Sequence, residues 1–225
     1  MFNEIVKIED GPVGYEHSGR GHIKMKGHDY PLSIKQEEFD FLTKLVADNN
    51  LQRGFECATA FGISGLASAL GFKQTGGKLV TMDAYIEEKC KNPGAYKDFE
   101  REVYEKADGY KSVKHLIKHF ELENTFFPEI GWSPDDVDDV IKKHFKDEKL
   151  DFVFLDAGHF PEQMIKDISA IAPYLDKKFV FVFHDIYPWS FSEEVHKLCK
   201  DLFDKDVEIK IPHPQGENLG YIWNL

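Results

Sequence analysis

With 225 residues, 42% hydrophobic and 30% charged, the chain holds enough apolar material for one globular domain and too much for a disordered segment. A formal net charge of -12 argues against a general nucleic-acid or anionic-membrane binder. No apolar run approaches the roughly 20 residues needed to span a bilayer, and the charged stretch from Met1 to Asp10 lacks an apolar secretory core.

Residues 1–32 are rich in Gly and His and short in helical period, which predicts a short hairpin or an extended arm. Ser33 reads as a helix N-cap, with Gln36 three residues on completing a capping box. Phe39, Leu42, Leu45 and Val46 follow at helical spacing, and Asn49-Asn50 marks the end. A first core strand is expected from Gly54 to Ala58, a helix from Ser64 to Leu70, a turn at Gly76-Gly77, and a second strand from Lys78 to Asp83. Residues 86–110 interrupt this alternation. Asn92-Pro93-Gly94 is a turn signal, and Tyr96, Phe99, Tyr104 and Tyr110 are spread among charges. The segment reads either as an insertion over the mouth of the sheet or as a solvated helix pair.

A helix at 111–121 leads to a strand from Asn124 to Ile130, and Pro134-Asp135-Asp136 starts a helix with Val137, Val140 and Ile141 inward. The run from Leu150 to Leu155 is an apolar strand ending at Asp156. Glu162 to Leu175 has helical period, and Phe179 to Phe183 is a fifth apolar strand ending at His184-Asp185. A helix from Glu193 to Phe203 and strands near 207–211 and 219–223 complete the pattern. Continuous apolar strands alternating with helices mean an α/β fold: a Rossmann-like, seven-stranded, mostly parallel sheet with helices on both faces and a C-terminal antiparallel hairpin. No linker or repeat divides the chain, so residues 1–225 are expected to form a single domain. Cys57, Cys90 and Cys199 are widely spaced and odd in number, which suits a reducing, cytoplasmic compartment, with Cys57 a small core residue.

Gly54 to Asp83 is strand, small-residue loop, helix, second strand and terminal acid, the unit that holds a nucleoside over the carboxyl end of a parallel sheet. Small residues recur at Ala58, Ala60 and Gly62. A dinucleotide fingerprint would put its third small residue one position later, to open a helix onto a pyrophosphate. S-adenosylmethionine has no phosphate and needs close backbone approach instead, and Asp83 could accept bonds from both ribose hydroxyls.

These residues give the chain a family resemblance. Glu56-Cys57-Ala58-Thr59-Ala60-Phe61-Gly62-Ile63-Ser64 is similar to the E-x-G-T-G-x-G-x-S loop of class I S-adenosylmethionine-dependent methyltransferases, and especially of the metal-dependent small-molecule O-methyltransferases. Gly131-Trp132-Ser133 resembles that family's turn beside the adenine, Phe152 to His159 its strand-four motif, and Val182-Phe183-His184-Asp185 its strand-five motif. The resemblance implies methyl transfer from S-adenosylmethionine to an oxygen of a small-molecule acceptor. It implies cofactor contacts at Glu56, Ala58, Thr59, Ala60, Phe61, Gly62, Ser64, Asp83, Gly131, Trp132, Ser133 and Asp156. His159 stands where the catechol-type enzymes carry a lysine base, which makes it the expected proton acceptor.

Asp156 and Asp185 end neighbouring strands, which lie about 4.8 Å apart, so the two carboxylates could share one hard cation such as Mg²⁺. The residue after Asp185 is Ile186, where the catechol-type enzymes place a coordinating Asn. His184, just before it, could bind a softer divalent metal. The other reading of Asp185 is a strand cap. A non-catalytic nucleoside- or partner-binding protein on the same fold is the alternative function. The oligomeric state is open, with a homodimer among the expectations.

Overall fold

The computed structural model describes residues 6–8, 11–15, 20–25, 28–84, 109–158, 160–187, 191–212 and 218–225, and before Ile34 the backbone alone. The first strands, β1 (Val6–Ile8), β2 (Gly11–Tyr15), β3 (Arg20–Met25) and β4 (His28–Lys35), pair in that order as an antiparallel meander. This is a fuller structure than the single hairpin or arm expected from the sequence. β4 does alternate, with Tyr30, Leu32 and Ile34 set between Asp29, Pro31, Ser33 and Lys35, but reading Ser33 as a helix cap hides that strand.

Helix α1 (Gln36–Asp48) begins two residues later than a Ser33 cap would place it, because β4 runs extended through Ser33 to Lys35. Lys35 is the residue that caps it, and Glu38 reaches back so that its Oε2 accepts the Lys35 N–H at 2.7 Å.

The main sheet is built from β5 (Arg53–Cys57), β6 (Lys78–Asp83), β7 (Phe126–Ile130), β8 (Leu150–Leu155), β9 (Leu175–Ile186), β10 (Glu208–Ile211) and β11 (Asn218–Asn224). Their order is β10-β11-β9-β8-β5-β6-β7. Neighbours from β9 through β7 are parallel, and β11 alone opposes them, antiparallel to both β9 and β10. The seven-stranded, mostly parallel sheet read from the sequence is thus borne out.

The remaining described helices are α2 (Ile63–Thr75), α3 (Gly109–His119), α4 (Val137–Phe145), α5 (Pro161–Ile171) and α6 (Glu193–Phe203). Strand periodicity sorts the core onto two faces. Phe152 and Phe154 of β8 point toward α1, α2 and α3, while Val153 and Leu155 point toward α4, α5 and α6. Every β8 residue is buried, and each of its large apolar side chains contributes about 1.5–3 kcal/mol of burial. Helix α2 can lie close against α1 because position 71 is glycine; a Cβ there would stand 2.7 Å from the Thr43 carbonyl oxygen. Thr43 uses that proximity, its hydroxyl donating to the Ala67 carbonyl at 2.8 Å. Among the described residues no helix is long and apolar enough to cross a membrane.

Candidate active site

The chemistry-bearing residues gather at the carboxyl ends of β5, β6, β8 and β9, where a parallel sheet leaves its loops free. After β5 the chain turns sharply, with positive φ at Ala58 (70°), Ala60 (46°) and Gly62 (85°). The turn is tied to the tip of β6. Ala58 N–H donates to the Met82 carbonyl at 2.9 Å, and Ala60 N–H to Asp83 Oδ2 at 2.8 Å. Gly62 then opens α2; a Cβ there would meet Val113 Cγ2 at 2.8 Å. Phe61 and Thr59 are buried, so it is the backbone that borders the open side of the loop. Both alanines hold the left-handed backbone a glycine would take freely. That strain is about 1–2 kcal/mol per residue, against about 0.4–1 kcal/mol for glycine's extra freedom in the unfolded chain. Ala58→Gly and Ala60→Gly should therefore each raise stability by about 0.5–1 kcal/mol in denaturant titration; a fall in either variant would show that the turn is relaxed with alanine.

Beneath the loop, Glu56 is fully buried. Ser64 Oγ donates to its Oε1 at 2.6 Å, while Oε2 has no hydrogen-bond partner among the described residues. Gly65 makes room for this carboxyl, since a Cβ at that position would lie 2.7 Å from Oε2. Burial pushes the carboxyl up to about 8; the Ser64 bond opposes this, and the charges of Asp156 and Asp83 add to it. Three acids thus converge on one loop, an arrangement that suits a ligand carrying positive charge.

At the tip of β7, Gly131 N–H donates to the Asp83 carbonyl at 2.9 Å, which sets the following turn beside the loop. Trp132 is half-buried, and its N–H donates to Asp136 Oδ2 at 2.8 Å. Ser133 Oγ donates to Asp167 Oδ1 at 2.6 Å, and Gln163 Nε2 donates to the same oxygen at 2.8 Å. Asp167 is fully buried, and burial raises its carboxyl despite the bonds from Ser133 and Gln163. It anchors the turn from below.

Strands β8 and β9 pair with Leu155 beside Phe183, so Asp156 and His184 stand side by side. Asp185 follows at φ 49°, a left-handed backbone that aspartate tolerates. His184 Nδ1 lies 3.2 Å from Asp156 Oδ1 and 3.3 Å from Asp185 Oδ1, and its Nε2 lies 3.3 Å from Glu38 Oε2. Burial lowers the imidazole's proton affinity, but the charges of Asp156 and Asp185 raise it well above the ordinary histidine value. Glu38, in turn, is raised by burial yet held below its usual value by His184. Asp156, His184 and Asp185 each offer one ligand atom within 4.8 Å of the others. One nitrogen and two oxygens at this spacing fit a divalent cation. Ile186 is buried and offers no ligand, so any further positions would be filled by water or an acceptor oxygen.

Glu38 and Asp167 were not among the sequence-derived site residues. Each is an acid on the apolar stripe of its helix, Glu38 beside Phe39 and Leu42, Asp167 beside Met164 and Ile168. That misplacement was the available signal. His159, most of the 86–110 segment and Pro188 to Ser190 lie outside the described residues. Phe191 is buried edge-on against Phe183, with ring centroids 5.4 Å apart. His115 and His119 stack at 6.2 Å on α3 without a third ligand among the described residues.

A family described as "Methyltransferase domain" matches residues 55–186, more than half of the chain. The chain belongs to this methyltransferase family. No curated protein shows significant sequence similarity to it. Among solved structures, the O-methyltransferase from Bacillus cereus in complex with SAH is similar at 14% identity and a TM-score of 0.60, over 85% of this chain and 82% of that one. The O-methyltransferase TomG from Streptomyces achromogenes, involved in tomaymycin synthesis and complexed with SAM, matches at 13% identity and a TM-score of 0.60, over 85% and 81%. The precorrin-6y C5,15-methyltransferase from Geobacter metallireducens matches at 15% identity and a TM-score of 0.57, over 86% and 91%. At these identities the likeness is one of fold. The class I, S-adenosylmethionine-dependent methyltransferase read from the motifs is borne out, and the methyltransferase's acceptor is a separate question.

Proposed function

We propose that the chain transfers the methyl group of S-adenosylmethionine to an oxygen of a small molecule. The observation that carries this reading is the placement of two constellations at one end of the sheet. The acid-lined loop from Ala58 to Gly62 lies beside the cluster of Asp156, His184 and Asp185.

In this reading Asp83 accepts the ribose hydroxyls, and the backbone of Ala58, Thr59, Ala60, Phe61 and Gly62 allows close approach. Glu56 meets the cofactor's ammonium from below, and Ser64 holds the Glu56 carboxyl in place. Gly131, Trp132 and Ser133 border the adenine. Asp156, His184 and Asp185 would hold a divalent metal, which supplies orientation of the acceptor oxygen and stabilisation of its negative charge. The methyl carbon gains a bond to oxygen as it loses its bond to sulfur, and the sulfur keeps the electron pair. His159, between Gly158 and Phe160 in sequence, takes the acceptor's proton. The chain's main task is to hold sulfonium and oxygen in line. The left-handed backbone of the two alanines keeps the loop in a form glycines would adopt, which favours a working cofactor site over a non-catalytic descendant.

The test begins with S-adenosylhomocysteine binding by calorimetry, followed by a panel of phenols, catechols and sugars assayed with added divalent metals. His159→Ala should lower turnover by about 10²–10⁴-fold with cofactor affinity nearly constant. Full turnover in that variant would end the base assignment. Cofactor binding without turnover on any oxygen acceptor would favour the non-catalytic reading.

A further inference from the structure

Three carboxylates surround one imidazole near the carboxyl end of β9, and they divide between its two nitrogens. Asp156 and Asp185 lie on the Nδ1 side, at 3.2 Å and 3.3 Å, and Glu38 alone meets Nε2, at 3.3 Å. A ring nitrogen that binds a cation must be free of its proton. The other nitrogen then keeps a proton and needs an acceptor that fixes the ring's tautomer and rotation.

Glu38 is built to be that acceptor. It comes from the first turn of α1, a different element from the three candidate ligands, and is only 1% exposed. The Lys35 N–H holds its Oε2 at 2.7 Å, so the carboxylate cannot follow the ring if the ring turns. Its Oε1 is buried with no hydrogen-bond partner among the described residues. A carboxylate is not left there for helix stability alone, since a neutral cap would serve without desolvating a charge.

We propose that Glu38 is the positioning residue of a Glu38–His184–metal relay, which commits the site to a nitrogen-accepting transition metal rather than magnesium. The inference rests on the metal reading given above. Magnesium asks for oxygen ligands in near-octahedral order, whereas imidazole suits zinc and other later transition ions. A carboxylate accepting the far N–H makes the imidazole a stronger donor, and removing such a partner costs about 10–100-fold in metal affinity.

The test uses metal-free full-length protein titrated with cobalt, zinc and magnesium by calorimetry, with the visible spectrum of bound cobalt as a direct view of the ligand field. Glu38→Gln keeps an acceptor for the Lys35 N–H and removes the charge. It should weaken cobalt and zinc about 10–100-fold, leave magnesium nearly unchanged, and shift the cobalt spectrum. Asp156→Asn should weaken all three metals. Unchanged cobalt-to-magnesium preference and an unchanged spectrum in folded Glu38→Gln would overturn the role of Glu38 while leaving the metal site in place. Absence of binding by any of the three metals to the parent would overturn the metal reading and the relay with it. Should Glu38→Gln fail to fold, Glu38→Asp decides, since it keeps the charge but withdraws the carboxylate from Nε2 by one methylene. A narrowed cobalt-to-magnesium preference supports the relay, and an unchanged one overturns it.

Discussion

Asp83→Ala is expected to weaken S-adenosylmethionine binding by about 2–3 kcal/mol, roughly 30- to 150-fold in Kd, in a protein that remains folded. Asp83 ends β6, and its Oδ2 already accepts the Ala60 N–H at 2.8 Å, so the carboxylate stands over the loop. The variant loses a charge-assisted bond to the ribose and the anchor of the turn together. Asp83→Asn keeps an acceptor for the Ala60 amide and loses only the charge, and should fall between parent and alanine variant. Calorimetry with unchanged affinity in folded Asp83→Ala would remove Asp83 from the site.

Glu56→Gln should cost about 1.5–3 kcal/mol in cofactor affinity at pH 8, the usual worth of a hydrogen bond to a charged group. It should also abolish a pH dependence that the parent carries. With burial pushing Glu56 up to about 8, the free protein holds this carboxyl protonated at neutral pH. A ligand bearing sulfonium and ammonium charges favours the ionised form, so binding releases a proton below about pH 8. Affinity then rises with pH by up to about tenfold per pH unit and levels off above that value. Folding stability runs the other way. The folded carboxyl titrates above its ordinary value of 4.5, so its contribution is fully present below that pH and is lost as pH rises through about 8. The parent should lose up to about 1.4 kcal/mol per pH unit within this window, and the glutamine variant should not. Titrations in two buffers of different ionisation enthalpy count the released proton; equal release by parent and variant would assign the proton to another group.

The apolar runs of β8 and β9 were legible because strands buried on both faces need continuous hydrophobic sequence. The loop was legible because its small residues and flanking acids lie close together in the chain. Glu38 was not, because its partner His184 is 146 residues away and only folding sets them together. Asp167 was hidden for the same reason, lying 34 residues beyond the Ser133 hydroxyl it accepts from. The left-handed backbone of Ala58 and Ala60 could not be read either, since alanine disfavours it. The antiparallel meander before α1 was obscured because Ser33 and Gln36 mimic a helix start, although Tyr30, Leu32 and Ile34 alternate along β4.

Strand β11 follows β10 in the chain but lies inside it in the sheet, wedged between β10 and β9. During synthesis, β9 therefore emerges with one long edge open, and that edge stays open until the residues after 217 are made. Its Phe179, Val180, Phe181, Val182 and Phe183 each pair with β11 in the finished sheet. Until then they offer a run of high β-propensity with unpaired backbone groups, a template for strand addition by another chain. Chains stopped short of Asn218 are accordingly the ones that should aggregate, through β9, whatever the condition of the loop and acids at the carboxyl ends of the strands.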